Sequence, residues 1–495
     1  MRRVFSSSSS LSILFLCGFL CANCFSESTA HADYLTVYGS PTYNSTTGTG
    51  YLNADVAFDP GTPVHSGVAV GYAGSYVNGI FQRGAAIRWT STTTEILGAL
   101  GSLRSANAIA INATGTAVGS GSKHNSSTDL GSRAIRWLPS STTAIELGHL
   151  GTDINGKTYS SAYAVNLAGT AVGVASKNGV DSYLADRAVR WEASGTAATE
   201  LVGLADDITI ARDINNAGTA VGNARKLTLG YRAVRWDASS TVATELDTLG
   251  TSSLGVGHAM AVGISDAGII VGNSSKYVGG AQVGGRAVRW GPSGTAATEL
   301  GVLSTNSSGI GSAAAANMNN SGAAVGRSAK YAGNTYMGVR AVRWDANSTT
   351  ATELWYPGTD DGDADSAAYY ISDNGIAVGY YEKFVGGVDQ GDFAMLWGQN
   401  AIGIDLNSLI DPASGWTLKS AWGISDTWVV GKGTFDPDGN GPLLPYERAF
   451  LLDVTTVVPE PTTIGLLGVG LISLLGVALR RRTLRGSPSR LFDQS

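Results

Sequence analysis

Arg133-Ala134-Ile135-Arg136-Trp137 is the stretch that decides how this chain folds. Alternate residues of an extended strand point to opposite faces, so Ile135 and Trp137 share one face. The pentapeptide recurs along the chain. Its tryptophan reappears as Trp89, Trp137, Trp191, Trp236, Trp290, Trp344 and Trp397, at spacings of 48, 54, 45, 54, 54 and 53 residues. An eighth copy, Arg448-Ala449-Phe450-Leu451-Leu452, carries Leu452 in the tryptophan place. A residue required in every copy serves packing rather than a ligand. The seven indoles are therefore expected in the core, each stabilising by roughly 2–3 kcal/mol.

Two more motifs keep step with the first. Upstream lies Ile-Asn-x-x-Gly-Thr-Ala-Val-Gly, whose last glycines are Gly71, Gly119, Gly173, Gly222, Gly272, Gly326, Gly379 and Gly431. In Ile214-Asn215-Asn216-Ala217-Gly218 the turn chemistry is plain, because Asn and Gly tolerate positive φ between two short strands. Downstream lies Ala-Thr-Glu-Leu, with Glu95, Glu146, Glu200, Glu245, Glu299 and Glu353, and Asp405 in the seventh place. Each unit thus holds four short strand segments. Four strands at this period predict an all-β fold, a β-propeller of about eight blades. Seven blades is the runner-up; an open β-solenoid or two smaller β-domains are further alternatives. The first three strand types occur eight times and the fourth seven times. Tyr34-Leu35-Thr36-Val37-Tyr38 is the spare strand-like run, expected to complete the last blade and hide its edge.

The ends read differently. Arg2 and Arg3 precede an apolar run over residues 11–20, and Ala30-His31-Ala32 offers small residues at the two positions a signal peptidase reads. Residues 1–32 are expected to be a secretory leader. A membrane anchor would need a longer run. A lipoprotein would need a small residue before Cys21 or Cys24, where Leu20 and Asn23 stand. At the other end, Val458-Pro459-Glu460-Pro461 precedes an apolar run over residues 464–479 and then Arg480-Arg481-Arg482. Those sixteen residues would rise about 24 Å as a helix, close to a bilayer core. The arginines would stay cytoplasmic, which leaves the repeats outside. The expected order is leader 1–32, propeller 33–453, linker 454–463, membrane helix and basic stop 464–482, and tail 483–495.

The terminal pattern resembles the PEP-CTERM sorting signal. The likeness implies recognition by an exosortase-type transpeptidase after signal-peptidase cleavage, a membrane-anchored precursor, then release or attachment at the cell surface. A plain C-terminal anchor is the alternative. The repeats, over roughly residues 50–452, resemble the bacterial extracellular HAF repeat. Arg133-Ala134-Ile135-Arg136-Trp137 stands where that family has His-Ala-Phe-Leu-Trp. The PEP-CTERM family is associated with exopolysaccharide producers, so the resemblance makes exopolysaccharide a partner to test.

Composition excludes several functions. The net charge is −6, and losing Arg2, Arg3 and Glu27 with the leader, and five arginines and Asp493 with the tail, takes it to −11. Such a surface repels phosphate backbones, so no nucleic-acid partner is expected. All three cysteines, Cys17, Cys21 and Cys24, fall within the leader. The rest has no disulfide, thiolate metal site or cysteine nucleophile. His65, His124, His149 and His258 show no zinc spacing.

A few residues stand outside the repeat. Trp355, Trp416, Trp422 and Trp428 are the candidate ligand aromatics. Asp436, Asp438, Asn440 and Glu447 match the spacing of a calcium loop, although Pro442 and Pro445 intrude and no helices flank it. An Asp/Gly-rich surface turn is the plainer reading. Asp361, Asp363 and Asp365 form a second acidic run. The arginine before each tryptophan is expected to pair with the glutamate after it, as Arg136 with Glu146 and Arg190 with Glu200, or to ring the channel. No catalytic constellation is evident. The leading expectation is a non-enzymatic surface or matrix protein. A carbohydrate-active enzyme and a calcium-dependent adhesion module are the alternatives.

Overall fold

The computed structural model describes residues 34–457, apart from 40–42, 45–48, 56–63, 78–79, 102–104, 180–182, 205–207, 357–363, 440 and 442–443. The leader and the C-terminal apolar run lie outside the described residues. Among those described, no helix is long and apolar enough to cross a membrane.

The repeats form eight antiparallel sheets. Blades 1 to 8 occupy residues 64–96, 106–146, 160–201, 209–245, 259–299, 313–353, 366–405 and 416–453. Blade 3 shows the pattern: Ser160–Val165, Ala171–Asn178, Tyr183–Trp191 and Ala198–Leu201 pair in sequence order. The first strand lies innermost and the fourth outermost. Blade 8 takes its fourth strand from the N-terminus. Val37–Gly39 pairs with Tyr446–Asp453, matching Val37 to Leu452, Tyr38 to Leu451 and Gly39 to Phe450. Blade 1 gains a further hairpin, Tyr43–Asn44 with Thr49–Asp55, laid beside Val68–Val77.

The core is eight separate clusters, one between each pair of neighbouring blades. Between blades 1 and 2, Trp137, Ile135 and Ile111 meet Val70, Ala86 and Leu97. Between blades 8 and 1, Trp89, Ile87 and Val64 meet Val430, Ala449 and Leu451 and close the ring. All seven repeated indoles are buried. Six donate to a backbone carbonyl of the preceding blade's outer segment, as Trp137 Nε1 does to Gly98 O at 2.9 Å and Trp191 Nε1 to Gly148 O at 2.9 Å. In blade 8, Leu452 fills the same place, fully buried.

The repeated glycine has a steric cause. The inner strands of blades 2 to 8 each carry a β-bulge, as between Ala211 and Asp213, and the bulge drives a carbonyl toward the second strand. A Cβ on Gly222 would lie 2.0 Å from Ile210 O, and one on Gly173 2.0 Å from Ser161 O. The turn glycines are a different case: Gly169 and Gly218 have φ of 91° and 89°.

The expected arginine–glutamate pairs need correction. Ile135 is the register partner of Glu146, so Glu146 shares a face with Arg133, and Arg136 points the other way. Arg133 Nε meets Glu146 Oε1 at 3.4 Å, and Lys123 Nζ meets Glu146 Oε2 at 2.7 Å. The Lys–Glu–Arg triad recurs as Lys177, Glu200 and Arg187, and as Lys276, Glu299 and Arg286. Arg136 instead crosses to the next blade and donates to the carbonyls of Trp191, Glu192, Ala193 and Gly195 at 3.0–3.2 Å. Arg190 and Arg289 do likewise. Blade 1 alone follows the expected pairing. Its shorter loop sets Arg88 opposite Glu95, at 3.3 Å.

Candidate functional site

The ring has two faces. One carries the turns between first and second strands; the other carries the long hairpins between second and third strands. The turn face is a polar collar. Asn112 accepts the Thr116 amide at 2.9 Å and donates to Asn166 O of the next blade at 2.7 Å. Asn166 repeats this toward Asn215 O, and Asn215 toward Ser265 O. One residue on, Asn216 binds Asp266 twice and Asn320 binds Asp373 twice, at 2.9–3.0 Å. Each asparagine therefore caps its own turn and ties its blade to the next. The enclosed channel mouth holds about 390 Å³. Asp213, Asp266, Asp373 and Asp426 line it, with no Lys or Arg among the described residues. Asp213 accepts from the Ile264 amide at 2.9 Å and is hemmed in by the channel wall. Loss of water raises its pKa to about 6, against the help of its two amide donors.

The hairpin face is where the blades differ. The residue after the repeated glycine is Ser120, Val174, Asn223, Asn273, Arg327, Tyr380 or Lys432 in blades 2 to 8. The bulge residue of the inner strand is Ile109, Tyr163, Arg212, Val262, Ala316, Tyr369 or Trp422. In blades 7 and 8 these positions gather aromatics. Tyr369 stacks on Tyr380, with centroids 5.6 Å apart, and meets Trp422 across the blade boundary at 6.1 Å. The strip is half-buried and borders acids. Asp392 and Glu382 are register partners in blade 7. Burial, then Glu382, pushes the Asp392 carboxyl above its usual range, with Lys419 opposing. Burial also raises the Tyr369 and Tyr380 phenols. Glu382 accepts from the Asp365 amide at 3.2 Å. Lys419 and Lys383 lie over the Phe393 ring at 4.9 and 4.6 Å.

A cleft of about 740 Å³ opens between blades 5 and 6 on the same face. Tyr231, His258, Met260, Arg327, Tyr331 and Tyr336 are among its walls, and among the described residues no carboxylate lines it. Tyr331 and Tyr336 meet edge-on at 5.5 Å.

The four sequence-selected tryptophans have different settings. Trp422 joins the strip. Trp416 packs on Phe435 at 5.1 Å and under the Arg448 guanidinium at 5.1 Å. Trp428 contacts Tyr38 at 6.1 Å and covers the Gly67 turn at the closing seam. Trp355 is 56% exposed at the end of blade 6, away from the strip. Of the calcium-loop residues, Asn440 lies outside the described residues. Glu447 is held by Lys432 at 2.9 Å. Among the described residues, Asp436, Asp438 and Glu447 assemble no three-ligand group. Asp361 and Asp363 lie outside the described residues, and Asp365 accepts the Val339 amide at 2.7 Å. Arg327, Tyr369, Tyr380 and Asp392 escaped the sequence reading. The signal for Arg327 and Tyr380 was the varied position after the repeated glycine, and for Tyr369 the varied bulge position.

These features define a closed eight-bladed β-propeller whose packing positions repeat and whose hairpin-face rim does not. Comparison with known proteins adds two matches. Residues 286–403 match a domain described as a protein of unknown function (DUF3466). Residues 457–482 match the PEP-CTERM protein-sorting motif, which marks export, exosortase processing and a membrane-anchored precursor. No curated protein matches. Similar solved structures include a prolyl endopeptidase, at 8% identity and TM-score 0.42, covering 80% of this chain and 60% of that one. The β-propeller domain of the Trilobed protease from Pyrococcus furiosus gives 10% and 0.40, with 70% and 93% covered. A Mycobacterium tuberculosis puromycin-hydrolyzing peptidase gives 13% and 0.41, with 82% and 62% covered.

Proposed function

We propose that this is an exported, exosortase-processed surface or matrix protein whose propeller binds polysaccharide on its hairpin face, and that its repeats are of the HAF type. One observation carries the binding reading: the Tyr369–Tyr380–Trp422 strip. The same positions of the other blades hold mainly small, aliphatic, polar or charged residues, yet in blades 7 and 8 three aromatics gather there and stay partly open to solvent. Stacked rings beside acids and a lysine suit the C–H faces and hydroxyls of sugars. The domain boundaries follow the same reading, with the leader at 1–32, the propeller at 33–453 and the sorting tail beyond.

The chain exit supports an outward-facing site. The last blade strand ends at Asp453, and the Val454 amide donates to Thr427 O at 2.8 Å, on the turn face. From 458 to 463, six residues reach at most about 20 Å. An anchored precursor then holds its turn face toward the membrane and its hairpin face away.

The test is a glycan array followed by titration calorimetry of hits on the secreted protein. Trp422→Ala should weaken binding about tenfold, whereas Trp355→Ala should leave it unchanged. Absence of any glycan ligand, or equal loss in both variants, removes this reading. One observation favours an enzyme instead: Asp392 with a raised pKa, paired in register with Glu382. Chain shortening of a bound polysaccharide that stops in Asp392→Asn would establish that alternative.

A further inference from the structure

The geometry points to the cleft between blades 5 and 6 as a subsite for a carboxylate-bearing sugar residue, with Arg327 as its anion-recognising group. This rests on the polysaccharide reading and assigns the substrate class of the same face.

Charge carries the first part of the argument. The exported chain is strongly acidic, so a cavity of about 740 Å³ with no carboxylate lining it among the described residues is a local exception. Asp365 reaches its wall at Val339, but there it accepts the Val339 amide at 2.7 Å. The cations near the cleft are unequal. Arg286 is buried and committed to Glu299 at 2.9 Å and to the Gly311 carbonyl. Lys276 and Lys330 are committed to Glu299 and Glu353 at 2.7 and 2.8 Å. Arg327 is exposed and makes no hydrogen bond or ion pair among the described residues. It replaces Ser120, Val174 or Asn273 of other blades. A planar guanidinium with open donors matches a carboxylate in two parallel hydrogen bonds.

Shape carries the second part. Tyr331 and Tyr336 meet edge-on, and Met260 faces them across the inner strands. Such walls accept a ring body while the guanidinium takes its acid group. Tyr336, Tyr369 and Tyr380 all feel the Arg327 charge, which places Arg327 between this cleft and the aromatic strip. A glycan chain crossing the rim would therefore put successive residues on the strip and in the cleft.

The test uses the secreted protein and two probes, an oligogalacturonate and its methyl ester of equal length, followed by calorimetry at two salt concentrations. The wild type should bind the acid at least tenfold more tightly than the ester, and added salt should erode the difference. Arg327→Gln should abolish the preference while keeping ester affinity, and Arg327→Lys should restore part of it. Equal binding of acid and ester by the wild type sinks the subsite but leaves the polysaccharide reading intact. An unchanged preference in Arg327→Gln sinks it as well. Binding of neither probe while the array shows neutral glycan hits also overturns it. Failure with every glycan removes both.

Discussion

At the residue scale, two side-chain positions in blades 2 to 6 do different work although both are arginines. Arg133 and its equivalents fix register within a blade through a half-exposed glutamate, a contact that specifies geometry more than it stabilises. Arg136 and its equivalents fasten one blade to the next through backbone carbonyls. A two-residue period separates the roles. At the channel mouth Asp213 is hemmed in by the wall, and burial raises its carboxyl. A carboxyl whose folded pKa rises from 3.8 to about 6 favours folding when protonated. Its contribution is fully present below about pH 4 and is lost as pH rises through about 6. The ceiling is roughly 3 kcal/mol, reduced by channel water. Denaturant unfolding from pH 4 to 7 should therefore show wild-type stability falling relative to Asp213→Asn. Parallel curves would remove this assignment. Blade 6 already carries Asn317 at the same inner-strand place, so the amide fits.

At the element scale, the ring closes with a strand borrowed from the other end of the chain. Val37–Gly39 contributes only three residues, yet it covers the edge of Tyr446–Asp453. Leu35 adds a bridge to Ile410. Blade 8 otherwise ends on an unpaired edge, which invites fraying or pairing with another molecule. Deleting residues 33–39 should lower the melting temperature by several degrees and expose blade 8 first to proteolysis and amide exchange. Uniform exchange over all blades would contradict a closing role. Four strands per repeat and a missing fourth strand were legible by counting motifs. The register was not. The first-strand bulge puts two residues opposite one, a local event that the motif spacing does not report. Its trace was the repeated glycine after Ala-Val, which the motif marked without a cause and which a carbonyl 2.0 Å from the absent Cβ requires, as at Gly173 and Gly222.

At the scale of the whole molecule, the two faces have separate tasks. The turn face is consumed by the asparagine collar and by the chain exit toward the sorting tail. The hairpin face holds the nonrepeated rim. The cysteine-free propeller allows a direct test of this arrangement. Ala113 lies exposed on the turn face and Asn125 at a hairpin tip, separated by one strand of nine or ten residues, about 30 Å. Single Ala113→Cys and Asn125→Cys variants of the precursor after leader removal, with its sorting tail retained and spin-labelled in vesicles with nickel-chelating headgroups, should differ. Relaxation should be enhanced at position 113 and not at 125. The reverse pattern would place the rim against the bilayer and overturn the outward orientation.

Sequence alone determined the period, the strand count, the buried indoles and the cysteine-free, acidic character of the exported part. These follow from local rules, because alternation and turn chemistry act within a few residues, and repetition multiplies the signal eight times. Tertiary structure alone decided which arginine meets which glutamate, how asparagines link neighbouring turns, and which odd residues share a rim. Arg327, Tyr380 and Trp422 are far apart in the chain and look like lapses in a repeat. Closing the ring brings these positions to one rim, where side chains released from packing between blades are free to differ.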